Sequence, residues 1–93
     1  MEKKISVHAI IRGRVQGVCF RAETRKAALH HSVEGWVKNR PDGTVEALFE
    51  GAEADVKSVL NWCEKGPSLS RVDQVDVAYN ESITGVDGFE ITY

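Results

Sequence analysis

The chain has 93 residues, 42% apolar and 28% charged, a balance that suits a folded protein and excludes a disordered one. A chain this short holds one thin core and no second lobe, so residues 1–93 read as a single domain. The formal charge of −2 argues against a general polyanion binder, although Arg12, Arg14, Arg21 and Arg25 crowd one stretch.

From Lys4 to Arg12, Ile5, Val7, Ala9 and Ile11 alternate with Ser6, His8, Ile10 and Arg12, the period of a strand. Gly13 and Gly17 mark an irregular loop, and good helix formers then run from Phe20 to about His31. The apolar face of that helix is weak: Phe20, Thr24, Ala27, Ala28 and His31. Val33 to Asn39 and Thr44 to Glu50 read as strands joined by Arg40-Pro41-Asp42-Gly43, a strong turn signal, and so form a hairpin. Ala52 to Lys65 is a second helix, with Val56, Val59, Leu60 and Cys63 on one stripe, ended by Gly66-Pro67. Ser70 to Tyr79 is a fourth strand. Val72 is out of phase with Val75, Val77 and Tyr79, which predicts a bulge. Asn80 to Gly88 is a loop, and Phe89, Ile91 and Tyr93 make a short last strand. The order β-α-β-β-α-β plus a terminal strand predicts an α+β, ferredoxin-like split βαβ: an antiparallel sheet with two helices on one face.

The segment Gly13-Arg14-Val15-Gln16-Gly17-Val18-Cys19-Phe20-Arg21 lies between a strand and a helix start. Backbone N–H groups there lack ladder partners and can converge on an anion, and glycine allows close approach. Arg21 stands at the helix entrance, where its planar fork can hold two phosphate oxygens. The same residues also suit a plain strand-to-helix loop with a surface arginine. In a split βαβ the first two strands run parallel with the third between them, so the loop and Asn39 emerge at one edge, roughly 10 Å apart. Asn39 offers an acceptor and a donor to a small ligand, or serves simply as a turn residue before Arg40-Pro41.

These residues resemble the acylphosphatase family. The loop is similar to that family's G-x-V-Q-G-V-x-F-R signature. Gly35-Trp36-Val37-Lys38-Asn39, with Asp42-Gly43 and Val45-Glu46, is similar to its second motif, and Gly88-Phe89-Glu90-Ile91-Thr92-Tyr93 to its closing strand. The resemblance implies hydrolysis of a small-molecule acyl phosphate to a carboxylate and inorganic phosphate without a metal or cofactor. It implies that Arg21 and the N–H groups of Gln16, Gly17, Val18, Cys19, Phe20 and Arg21 bind the phosphate. It implies that Asn39 positions the attacking water. His31-Ser32-Val33 departs from the family's usual Leu-Gly-Leu, placing His31 at a core-facing position and Ser32 where a helix-ending glycine belongs.

Other chemistries fit less well. A cysteine phosphatase needs C-x5-R, but Cys19 is two residues from Arg21, so Cys19 reads as a loop side chain. Cys19 and Cys63 belong to no C-x-x-C and read as reduced thiols. His8, His30 and His31 lack zinc spacing, and no Asp/Asn-rich loop suggests calcium or magnesium. No apolar window approaches membrane-spanning length, and Met1-Glu2-Lys3-Lys4 leads into a strand pattern, so the expected location is cytoplasmic, with no membrane partner. A monomer is the default. The rival functions are an RNA-binding module of the same element order, which the acids and missing RNP pattern of Thr44–Glu50 disfavour, and a phosphate-binding domain without turnover.

Overall fold

The computed structural model describes residues 3–93; Met1 and Glu2, which open the amino-terminal run read above, lie outside the described residues. The elements are β1 (Lys4–Arg14), α1 (Phe20–His30), β2 (Glu34–Asn39), β3 (Val45–Ala52), α2 (Glu53–Lys65), β4 (Arg71–Tyr79) and β5 (Phe89–Thr92). Spatially the strands run β4-β1-β3-β2-β5. β1 pairs antiparallel with β3 and β4, and β2 antiparallel with β3. β5 joins the outer side of β2 in parallel, so the sheet is mixed rather than antiparallel throughout. Among the described residues no helix is long and apolar enough to cross a membrane.

The alternation in β1 decides which face is covered. Ile5, Val7, Ala9 and Ile11 are buried, and the residues opposite them in β3, Val45, Ala47 and Phe49, share that face. Two helices close over it. α1 lies on β2 and β5, and α2 on β4, β3 and β1. α1 buries Phe20, Thr24 and Ala28, and α2 buries Val56, Val59 and Cys63. Phe20 packs tilted against Trp62 at 5.6 Å, and Phe49 stacks on Phe89 at 5.8 Å. Burying each such side chain contributes about 1.5–3 kcal/mol before entropy. Buried Thr24 satisfies its hydroxyl by donating to the Phe20 carbonyl one turn back, at 2.8 Å.

The bulge sits where the phase of Val72 puts it. Arg12 pairs with Gln74 but Gly13 pairs with Val72, leaving Asp73 as the extra residue. The connection from β4 to β5 must pass from one sheet edge to the other. It crosses the open face, where the Glu50 carboxylate receives Thr84 N–H at 2.9 Å and Gly85 N–H at 3.2 Å. Ser6 Oγ donates to the same carboxylate at 2.7 Å, and Asn80 Nδ2 donates to Ser6 Oγ at 2.9 Å. Strand parity turns Glu50 away from the helices, yet this loop leaves it only 3% exposed.

α1 ends in a Schellman motif. Val33 N–H reaches the Ala28 carbonyl at 2.8 Å and Ser32 N–H the Leu29 carbonyl at 3.2 Å. Ser32 carries the left-handed φ of 57° that this motif favours in glycine. His31 is not in the core. It is half-buried and meets His30 edge-on at 4.9 Å, while Val33 takes the buried position. The motif's turn rotates His31 out and brings Val33 in.

Two outcomes follow for stability. Ser32→Gly removes the left-handed cost of a side chain and should raise stability by about 1 kcal/mol. Thermal unfolding checks this, and an unchanged or lowered midpoint would contradict it. For Glu50, burial pushes the carboxyl up, but the Thr84 and Gly85 amides and the Ser6 hydroxyl outweigh it and hold the group below its ordinary 4.5. A depressed folded value adds stability that is complete above the unfolded value and is lost as pH falls through the folded one. Glu50→Gln should therefore cost about 1–3 kcal/mol at pH 7 and much less near pH 3. Urea unfolding at both pH values would show an equal loss if Glu50 carries no such role.

Candidate functional site

β1 does not stop at Gly13, as the glycine pattern suggests. Beyond the bulge Gly13 pairs with Val72 and Arg14 with Arg71, so the free run of backbone begins only after Arg14. A Cβ on Gly13 would lie 2.1 Å from the Arg71 carbonyl oxygen, so only glycine permits this close crossing. Val15 and Val18 then bury their side chains in the core and pin the loop at two points.

Between these anchors the backbone turns sharply. Gly17 has φ 74° and Cys19, the residue before α1, has φ 62° and ψ 23°. Left-handed residues of this kind allow successive N–H groups to turn toward one point, as in an anion nest. Cys19 has no glycine's freedom, and the conformation costs about 1–2 kcal/mol. It caps α1 with no side-chain hydrogen bond. The first backbone bond of the helix runs from Glu23 N–H to the Cys19 carbonyl at 3.1 Å. The N–H groups from Gln16 to Ala22 have no acceptor among the described residues. The amino-terminal end of the α1 dipole points the same way.

Gly17, Cys19, Phe20 and Arg21 line a cavity of about 370 Å³ that Asn39, from the end of β2, also borders. Ile91 and Tyr93 form a further wall. Arg21 makes no ion pair with a carboxylate among the described residues. Its guanidinium carbon stands 5.3 Å from the centre of the Tyr93 ring, a cation–π contact that orients the fork without neutralising it. Arg25, one turn on, donates from Nε to the Phe89 carbonyl at 3.0 Å and ties α1 to β5.

Asn39 is the last residue of β2, opposite Val45. Its Oδ1 is buried and has no hydrogen-bond donor in the structure. A buried acceptor without a partner is costly, and such groups concentrate at working sites. The turn that follows is closed by Asp42, whose Oδ1 receives Thr44 Oγ1 at 2.6 Å and Thr44 N–H at 3.0 Å. Those two bonds, aided by Arg40 and Arg12, hold the exposed Asp42 carboxyl below its ordinary value.

The sequence-predicted residues thus divide. Gly17, Cys19, Phe20, Arg21 and Asn39 border one cavity, whereas Gln16 and Val18 do not line it. Val18 faces the core. Gln16 reaches across to the β2–β3 turn, donating from Nε2 to the carbonyls of Arg40 and Thr44, each at 2.8 Å. Nothing in the spacing of Gln16 signals this, because its partners are backbone atoms more than twenty positions away. Both cysteines are free thiols. Burial, with a smaller push from Glu64, raises the Cys63 thiol to about 12 and keeps it protonated. Among the described residues no group of three His, Cys, Asp or Glu side chains could hold a metal ion.

The chain is similar to known proteins over nearly its whole length. The family model described as Acylphosphatase matches residues 7–91. An acylphosphatase of Natronomonas pharaonis is 48% identical over 91 residues, covering 98% of each chain. One of Syntrophus aciditrophicus is 51% identical over 88 residues, covering 94% of this chain and 91% of that one. The crystal structure of acylphosphatase from Bacillus subtilis superposes with a TM-score of 0.93 at 38% identity, covering 96% of this chain and 99% of that one.

Proposed function

Because the chain belongs to the acylphosphatase family and hydrolyses acyl phosphates, we propose that Arg21 and the loop amides bind the phosphoryl group while Asn39 orients the attacking water. The observation that carries this reading is one cavity bordered by an unpaired guanidinium, a run of unpartnered N–H groups and the orphaned Oδ1 of Asn39. The first two are donors and suit a dianion. The third is an acceptor and suits the hydrogens of water.

The reaction needs little else. Arg21 and the amides neutralise the phosphoryl oxygens as charge redistributes over them. Water held at Asn39 Oδ1 attacks phosphorus on the side away from the acyl oxygen. The P–O bond to the acyl group breaks, and its electron pair leaves as carboxylate. Both hydrogens of the water end on the product, dihydrogen phosphate, which then equilibrates with solvent. Because a carboxylate departs readily, neither a general acid nor a metal ion is required. In-line positioning can contribute up to roughly 7–11 kcal/mol.

The same reading takes residues 1–93 as one domain acting as a cytoplasmic monomer on a small-molecule substrate. Free thiols suit a reducing compartment. Nucleic acid is not among its partners. On the open face of the central strands, Glu46 accepts a contact from His8 at 2.5 Å and Glu50 holds the crossing loop, where an RNA-binding sheet would carry stacking aromatics. Burial works against the Glu46 charge, but the His8 bond and the Lys38 charge hold its carboxyl below the ordinary value.

Two variants test the roles. With benzoyl phosphate as substrate and EDTA present, Arg21→Ala should lower kcat about 10³-fold or more while the protein keeps its thermal midpoint. Near-normal hydrolysis would refute the assignment. Asn39→Ala should lower kcat about 10²-fold and leave inhibition by orthophosphate nearly unchanged. A variant that loses phosphate binding but keeps kcat would contradict the water-positioning role.

A further inference from the structure

The two walls of the cavity are built from separate segments. The loop after β1 brings the amides and Arg21, and the end of β2 brings Asn39, with α1 between them in the chain. In-line attack requires these walls to keep a fixed gap. Among the described residues, one hydrogen-bonded bridge joins the loop to the β2–β3 turn, and it is the Gln16 side chain.

Its geometry suits a clamp. Nε2 donates to the Arg40 carbonyl and to the Thr44 carbonyl, each at 2.8 Å, so both hydrogens of the amide are used. The Arg40 peptide follows Asn39 directly, and Gly17, next to Gln16, lines the same cavity from the loop. One residue on each side of the cavity is thus adjacent to an end of the bridge. The bridge is not needed to close the turn. Arg40 N–H already reaches the Thr44 carbonyl at 2.9 Å, and Gly43 N–H the Arg40 carbonyl at 3.1 Å. Removing Gln16 therefore leaves neither carbonyl unpaired, and the stability cost stays small.

We propose that Gln16 is a positioning residue for hydrolysis: its carboxamide fixes the distance between the phosphoryl-binding loop and the carboxamide of Asn39. The inference rests on the reading in which Asn39 orients water. It goes beyond a backbone contribution from Gln16, because it assigns the effect to the side chain.

A double-mutant cycle with benzoyl phosphate tests it, with Gln16→Met chosen to keep the side chain's volume. Misplacement of about 1 Å is worth up to about 10²-fold, so Gln16→Met should lower kcat by about 10- to 100-fold. Orthophosphate inhibition should change less than about 3-fold, because the loop keeps its own valine anchors. In the Asn39→Ala background, Gln16→Met should lower kcat no further, since a clamp that acts through Asn39 has nothing left to position. An independent readout needs no turnover. In the wild type, orthophosphate should shift the amide resonances of Arg40 and Thr44 along with those of the loop, and in Gln16→Met only the loop should respond. Wild-type kcat in Gln16→Met beside a slow Asn39→Ala would overturn the clamp alone, as would full multiplication of the two losses. Wild-type kcat in Asn39→Ala would overturn the water-positioning reading, and with it the route through Asn39.

Discussion

β1 and β2 run in the same direction with β3 inserted antiparallel between them, and this constraint organises the molecule. It brings the carboxyl ends of two strands to one edge of the sheet. A loop leaves one and Asn39 terminates the other. The intervening hairpin turn, Arg40 to Thr44, lies at the same edge and is within reach of Gln16. The space between is wide enough for a phosphoryl group and a water molecule and is bordered by chain on several sides. The helices hold the arrangement from below, because β1, β2 and β3 share a core of Val, Ile, Ala and Phe side chains that fixes their spacing. The site is thus an outcome of sheet topology before it is an outcome of any particular side chain.

On the proposed reading its chemistry is mostly backbone. The loop leaves a run of N–H groups without protein acceptors, a state that costs stability in a buried setting and favours an anion at an exposed one. Cys19 adds left-handed strain at the helix entrance. Ser32, at the far end of the same helix, carries similar strain but belongs to a helix cap and not to the cavity that Cys19 lines. The contrast is informative. Cys19 lines the cavity and precedes the unbonded N–H groups of the first helical turn, whereas Ser32 only closes a helix cap, so substitution by glycine should help the second site without touching function.

Much of this is legible in the sequence where local physics decides. The period of Ile5, Val7, Ala9 and Ile11 gives the buried face of β1, and the phase of Val72 gives the bulge. Pro41-Asp42-Gly43 gives the turn that sets Asn39 at a strand end. What is not legible depends on partners distant in the chain. Gly13 and Arg14 remain in the ladder because Val72 and Arg71 extend to meet them. β5 lies parallel to β2 because its connection crosses the open face, and that crossing turns Glu50 from a solvent-facing strand residue into a buried anchor. Gln16 belongs to a recognisable loop, but its side-chain role depends on two carbonyls supplied by another element. His31, expected toward the core, turns outward because the helix cap hands the buried position to Val33.

The central claim is that loop amides and one guanidinium form a cradle for a tetrahedral dianion. An orthophosphate titration followed by ¹H–¹⁵N correlation spectra tests it most directly. The account predicts saturable shifts, at millimolar phosphate, at residues 16 to 22, the Arg21 side chain and the Asn39 carboxamide, extending through Gln16 only to the Arg40 and Thr44 amides. Spectra unchanged at those positions, or shifts spread evenly over the basic side chains, would contradict it.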